Sequence, residues 1–160
     1  MTDMLDEMDF RLITALQEDA RLSYRALGRR VGLSQPAVAD RIRRLEEAGV
    51  ITGYRAGVDR GRAGLPVTAF LRLTCNGDRF QAVHRLAREL PAVLECHHIS
   101  GEACFMIKVA DATLAGLERT IERFRAHGET ASSIVLSSVV EDKPAALART
   151  GGKAGPDALP

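Results

Sequence analysis

Between Leu22 and Ile51 the apolar residues recur at helical spacing in two short blocks separated by a glycine. Leu27 and Val31 stand four apart and give a first short helix one apolar stripe. Val38, Ile42 and Leu45 give a second helix its buried side. Ser23 and Ser34 each precede a block, where a hydroxyl accepts an orphan backbone N–H of the first turn. Gly32 stops the first helix and Gly49 the second. Pro36 lies inside a first turn, where its missing N–H loses nothing. The pattern predicts two helices joined by a sharp turn.

The flanking patterns extend this unit. Asp6 is the expected cap of a helix over Glu7 to Gln17, with Ile13 and Leu16 inward, covering the back of the helical pair. Such a three-helix domain has a thin core and depends on further packing or dimerisation. Val50 to Val58 reads as an extended strand with a turn option at Gly53, which makes the domain winged in type. Asp59 to Pro66 is turn-rich and polar, a natural hinge.

Beyond the hinge the period changes. Val67 to Cys75 alternates like a strand. Asn76-Gly77-Asp78 turns the chain and offers Asp78 as a cap. Phe80, Val83, Leu86, Ala87 and Leu90 follow a helical period that Pro91 closes. Val93 to Ile99 and Cys104 to Ala110 form a predicted hairpin around Ser100-Gly101-Glu102. Leu114, Leu117, Ile121 and Phe124 mark a further helix ended by Gly128, and Ile134 to Val140 a last strand. The order βαββαβ predicts a ferredoxin-like domain with both helices on one face of an antiparallel sheet. The last strand is apolar on both sides, so a second subunit is expected to cover part of the open face. The predicted class is α+β: a helix-turn-helix domain with its extended strand over 1–58, a hinge over 59–66, a ferredoxin-like domain over 67–142 and a disordered tail over 143–160.

The stripe Val38, Ile42 and Leu45 leaves Ala37, Asp40, Arg41 and Arg44 on the opposite side, with Gln35 and Pro36 at the N-terminal tip. A helix-turn-helix lays such a face in the DNA major groove. Arg41 and Arg44 suit guanine or phosphate and Gln35 suits adenine. Small Ala37 lets the helix sit deep, and Asp40 accepts from cytosine or steadies Arg43 or Arg44. Ser34 and, at the start of the first helix, Ser23, Tyr24 and Arg25 complete the candidate DNA-binding set. A helical hairpin whose charges simply face water is the plainer alternative.

Charge supports the nucleic-acid reading. The net charge of the 160 residues is only +1, so no global field points at nucleic acid. Yet Arg21 to Arg55 holds eight arginines against three acids, while the residues before Arg21 hold six acids and one arginine. The basic excess is focused on the helical pair.

These residues resemble the leucine-responsive regulator (Lrp/AsnC, feast/famine) family of transcriptional regulators. The similarity is carried by Leu5-Asp6-Glu7, Asp9, Gln17, Asp19-Ala20-Arg21, Leu33-Ser34, Arg41-Ile42, Leu45-Glu46, Gly49-Val50-Ile51 and Gly53-Tyr54, and continues to about Glu141. It implies a sequence-specific DNA-binding regulator that answers a small metabolite, an amino acid or related compound. It also implies paired sheets making a homodimer, with tetramers or octamers above it. The resemblance places the effector site at Ser100, Gly101, Glu102, Ala103 and Cys104, facing Thr130, Ser132, Ser133 and Leu136. Many relatives carry Asp where this chain has Cys104.

Three other readings stand beside this one. Siroheme decarboxylases resemble the same two-domain plan, so fold alone does not settle function. That activity would call on His97, His98 and nearby arginines, but no catalytic run accompanies them and an arginine-lined helix is retained. A regulatory module without DNA is opposed by the arginine focus. Cys96-His97-His98 with Cys104 suggests zinc, yet adjacent strand residues point to opposite faces, and neither metal nor cofactor is expected. No apolar run reaches membrane length and the N-terminus is acidic, unlike a signal peptide. Three scattered cysteines fit reduced thiols in the cytoplasm.

Overall fold

The computed structural model describes residues Leu5–Leu147. The chain divides into two compact units at Gly57/Val58, the second ending at Glu141.

The first unit is three helices: α1 (Glu7–Glu18), α2 (Tyr24–Val31) and α3 (Gln35–Glu47). Asp6 caps α1 in a capping box: its carboxylate accepts from Asp9 N–H at 2.9 Å, and the Asp9 carboxylate accepts from Asp6 N–H at 3.1 Å. Ser23 and Ser34 cap α2 and α3, accepting from Ala26 and Ala37 N–H. The core is Leu12, Ala15, Leu27, Val31, Val38 and Ile42, all buried, with Leu16 and Ile51 packed against it. Burying each large aliphatic side chain contributes about 1.5–3 kcal/mol, so a core this short has little margin.

The turn between α2 and α3 depends on Gly28. Its carbonyl accepts from both Gly32 and Leu33 N–H, at 2.8 and 2.9 Å. A Cβ at Gly28 would stand 2.4 Å from the Leu33 carbonyl oxygen, so only glycine lets the turn close this tightly.

After α3 the expected strand over Val50–Val58 is not formed. Val50 and Ile51 N–H groups both bond to the Leu45 carbonyl, wrapping the helix end. Tyr54 is tied back by its hydroxyl, which donates to Glu46 Oε1 at 2.8 Å. Burial and that carboxylate push the phenol pKa up to about 12. Among the described residues no neighbouring strand offers this segment a ladder, and an extended segment without a ladder is not a strand.

The second unit is β1 (Val67–Thr74), α4 (Phe80–Glu89), β2 (Val93–His98), β3 (Phe105–Asp111), α5 (Leu114–Arg125) and β4 (Glu129–Ile134). The sheet is antiparallel in the order β2-β3-β1-β4, the ferredoxin-like arrangement. Ala69, Leu71 and Leu73 of β1 and Phe105, Ile107 and Val109 of β3 share one buried core with Val83 and Leu86 of α4 and Leu117 and Phe124 of α5. Asp78 does not cap α4. A 3-10 turn over Gly77–Arg79 precedes that helix, and its cap carries no side-chain hydrogen bond.

The last strand begins and ends earlier than its apolar residues suggest. β4 pairs with β1 from Glu129 opposite Thr74 to Ile134 opposite Ala69. Val135 N–H bonds to Thr68 O at 2.8 Å, and the ladder then runs out because β1 itself starts at Val67, after Pro66. Leu136 and Val139 are left 95% and 97% exposed. Among the described residues no helix is long and apolar enough to cross a membrane. Most of the tail expected over 143–160 lies outside the described residues.

Candidate nucleic-acid interface and ligand loop

On α3, Val38, Ile42 and Leu45 are buried, while Gln35, Pro36, Asp40, Arg43 and Arg44 are exposed and Ala37 is half-buried. Arg44 makes no hydrogen bond or ion pair among the described residues, which leaves its five donors free. Asp40 is held by Arg43 at 2.7 Å, and that bond lowers the carboxyl pKa. Arg43 also reaches Glu47 at 3.2 Å. Asp40 thus steadies Arg43, one of the roles expected for it.

Arg41 departs from the expected outward face. Its guanidinium turns to α1, with Nη1 2.6 Å from Asp6 Oδ2 and 2.8 Å from Asp9 Oδ1. The bonds to Asp6 and then Asp9 raise the arginine pKa. At Asp6, burial pushes the carboxyl up, but the Asp9 N–H and Arg41 outweigh it and the pKa is lowered. The capping box of α1 therefore doubles as the socket for Arg41. The helical wheel places Arg41 on the outer face with Asp40 and Arg44, but the acids 35 and 32 residues upstream draw it inward.

On α2, Leu27, Gly28 and Val31 face the core and Tyr24, Arg25, Arg29 and Arg30 are exposed. Arg30 is paired with Glu18. Arg25 and Arg29, one helical turn apart, make no ion pair among the described residues. Arg29 was absent from the sequence-derived set, although its i, i+4 spacing from Arg25, opposite the Leu27/Val31 stripe, was the available signal.

In the second unit the two expected ligand segments border the end of β1 from opposite sides. Cys104 N–H donates to Leu73 O at 2.9 Å, and Thr130 of β4 is the register partner of Leu73. Thr74 Oγ1 donates to the Glu102 carbonyl at 3.3 Å, holding the Ser100–Cys104 loop against that end. Gly101 turns the loop at φ 115°, a left-handed conformation that strains any other residue. Ser100, Gly101 and Glu102 are exposed, and Ala103 and Cys104 half-buried. Thr130 Oγ1 is buried without a hydrogen-bond partner among the described residues.

The remaining expected ligand residues do not converge. Ser132 is opposite Leu71 on the helix-covered side, whereas Ser133 is opposite Phe70 on the other face. Leu136 lies beyond β4 and points to solvent. The histidines divide in the same way. His98 pairs with Phe105 and lies edge-on to Phe80 at 4.8 Å, while His97 pairs with Met106 and bonds Glu95 at 3.2 Å.

Comparison with known proteins agrees with both units. The model of the AsnC-type helix-turn-helix domain matches residues 5–46, and that of the Lrp/AsnC ligand binding domain matches residues 68–145. The chain is 33% identical over 135 residues to the HTH-type transcriptional regulator LrpC of Bacillus subtilis, covering 84% of this chain and 94% of that one. The solved structure of LrpC superposes with a TM-score of 0.81, covering 85% of this chain and 97% of LrpC. The proline dehydrogenase transcriptional activator of Rhodobacter capsulatus is 36% identical over 154 residues, covering 92% of this chain and all of the activator. A Neisseria meningitidis transcriptional regulator solved in complex with L-Met superposes at 0.80 with 26% identity, over 86% and 94% of the two chains. These relatives are transcriptional regulators, and the decarboxylase alternative gains no support from them. The chain belongs to the Lrp/AsnC family of DNA-binding transcriptional regulators, with a ligand-binding domain suited to a small-molecule effector.

Proposed function

We propose that α3 enters the major groove of duplex DNA with Gln35, Pro36, Ala37 and Arg44 toward the bases, and that α2 lies across the phosphates. The carrying observation is the free, exposed Arg44 on an otherwise ion-paired helix. Arg43 is engaged by Asp40 and Glu47, and Arg41 by α1. A guanidinium with no internal partner is the one available for bidentate contact with guanine or for phosphate. Ser23, Tyr24, Arg25 and Ser34 lie at the N-terminal ends of α2 and α3, where helix ends favour phosphate, and Arg29 extends that cationic side. Ser23 and Ser34 keep a hydroxyl donor while capping. Arg41 serves this face indirectly, by fixing α3 on α1.

The effector is an amino acid or a related metabolite bound at Ser100–Cys104 and Thr130. The turn at Gly101 opens backbone groups to a carboxylate or ammonium, and the unpartnered Thr130 hydroxyl has hydrogen-bonding capacity to satisfy. The L-Met complex of the Neisseria regulator and the proline-related role of the Rhodobacter activator support this ligand class. The protein acts in the cytoplasm as a homodimer or higher oligomer, whose contacts include the exposed apolar residues after β4. A thermal-shift panel of the twenty amino acids tests the ligand class. A ligand at ~100 times its Kd adds about 2.7 kcal/mol, and a flat response across the panel removes amino acids from the reading.

A further inference from the structure

Cys75, just past β1, and Cys104, at the end of the Ser100–Cys104 loop, are both half-buried free thiols packed on the core of the second unit. The Cys104 sulfur lies against the backbone of Cys75: Cys75 N–H donates to Cys104 Sγ at 3.4 Å, and Cys104 Sγ donates to Cys75 O at 3.1 Å. The two side chains also meet, since a hydrogen bond from the Cys104 side chain is among the influences on the Cys75 thiol. A disulfide between them would join two side chains that already touch. Both cysteines are held by their surroundings. Cys104 N–H is bonded to Leu73 O at 2.9 Å, which ties the end of the loop to β1, and on its other side Cys75 is packed against Gly128, where a Cβ would stand 2.8 Å from Cys75 Cβ.

We propose that Cys75 and Cys104 form a reversible intramolecular disulfide when the protein meets a hydroperoxide, fastening the Ser100–Cys104 loop to the end of β1. Cys104 gives up its thiol proton as its sulfur attacks one oxygen of hydrogen peroxide, the O–O bond breaks, and the departing hydroxide takes up that proton and leaves as water. Cys104 is then a sulfenic acid. The Cys75 sulfur attacks the Cys104 sulfur, the S–O bond breaks, and that hydroxide carries off the Cys75 proton as a second water. Two thiols lose two electrons to one peroxide, and a dithiol reductant reverses the change. Cys75 is the resolving partner: burial, followed by the neighbouring Cys104 thiol, pushes its pKa up and keeps it protonated until the sulfenic acid forms. Cys96 is on β2, separated from β1 by β3, and stands outside the pair. The disulfide forms whether or not the loop holds a metabolite.

Full-length reduced protein is treated with hydrogen peroxide, alkylated without reductant and mapped by peptide mass spectrometry. The expected product has lost two hydrogens, carries a Cys75–Cys104 cross-link and is alkylated at Cys96 alone. Dithiothreitol restores three alkylatable thiols. In Cys75→Ser the sulfenic acid persists and dimedone labels Cys104, whereas Cys104→Ser forms no intramolecular link. All three thiols alkylated after peroxide, or a link through Cys96 in the wild-type protein, overturns the proposal. The wild-type measurement stands even if a variant fails to fold.

Discussion

Arg41 on α3 and Asp9 on α1 are locked together, Nη1 to Oδ1 at 2.8 Å, with Asp9 buried and only 23% of the arginine side chain exposed. Helix α3 is thus braced against α1 through an arginine that a helical wheel assigns to DNA. Arg41→Ala leaves a mostly buried carboxylate without its cation. A hydrogen bond to a charged group contributes about 1.5–3 kcal/mol, so the variant is expected to lose stability on that scale in urea unfolding. An unchanged unfolding midpoint would show the brace to be ornamental.

The same brace makes the first unit sensitive to acid. The Asp6 pKa is lowered in the folded state from a usual value of 3.8. A carboxyl with a depressed folded pKa contributes stability above its unfolded pKa and loses it as pH falls through the folded one. Urea midpoints are therefore expected to drop from about pH 5 downward, and Asp6→Asn should flatten part of that drop. An identical acid profile for the variant would assign the acid sensitivity to other carboxylates.

Gly28 tests the helical turn. Gly28→Ala drives a Cβ to 2.4 Å from a backbone oxygen that cannot swing aside. Overpacking of this kind costs about 1–3 kcal/mol, and the turn angle between α2 and α3 should change with it. The expected variant melts earlier and binds DNA poorly. Wild-type stability would mean that the turn relaxes freely.

The sequence was informative where a short apolar period decides burial. Leu27, Val31, Val38, Ile42 and Leu45 were all legible as core, and Asp6, Ser23 and Ser34 marked the starts of α1, α2 and α3, whereas Asp78 does not cap α4. It misled where partners come from far along the chain. Arg41 meets acids more than thirty residues away, which no local period reports. β4 is the polar run Glu129–Ile134, made a strand by its ladder to β1, whereas the apolar residues after it have no ladder. The apolar pattern there reports exposed surface. The ligand segments were legible only through resemblance, and alternation along β4 then separates Ser132 from Ser133.

That exposed surface gives an assembly prediction. Leu136 and Val139 stand almost wholly in solvent, with Phe70 39% exposed on the open sheet face. Burying each in a homomeric contact would contribute about 1.5–3 kcal/mol. The double substitution Leu136→Asp and Val139→Asp is expected to shift sedimentation toward monomer while circular dichroism keeps its folded signature. A variant that sediments like the wild type places the contact elsewhere.

In the proposed function Arg44 of α3 meets DNA while Arg41 holds α3 in place. Fluorescence anisotropy of Arg44→Ala, on a duplex selected by the wild-type protein and on a random duplex over a series of salt concentrations, tests it most directly. If Arg44 reads a base, discrimination between the duplexes falls by about 1–3 kcal/mol; if it holds a phosphate, both weaken alike and the salt slope drops by about 1. Either result must come with an unchanged unfolding midpoint. Unaltered affinity, discrimination and salt slope in a folded Arg44→Ala protein would contradict the account.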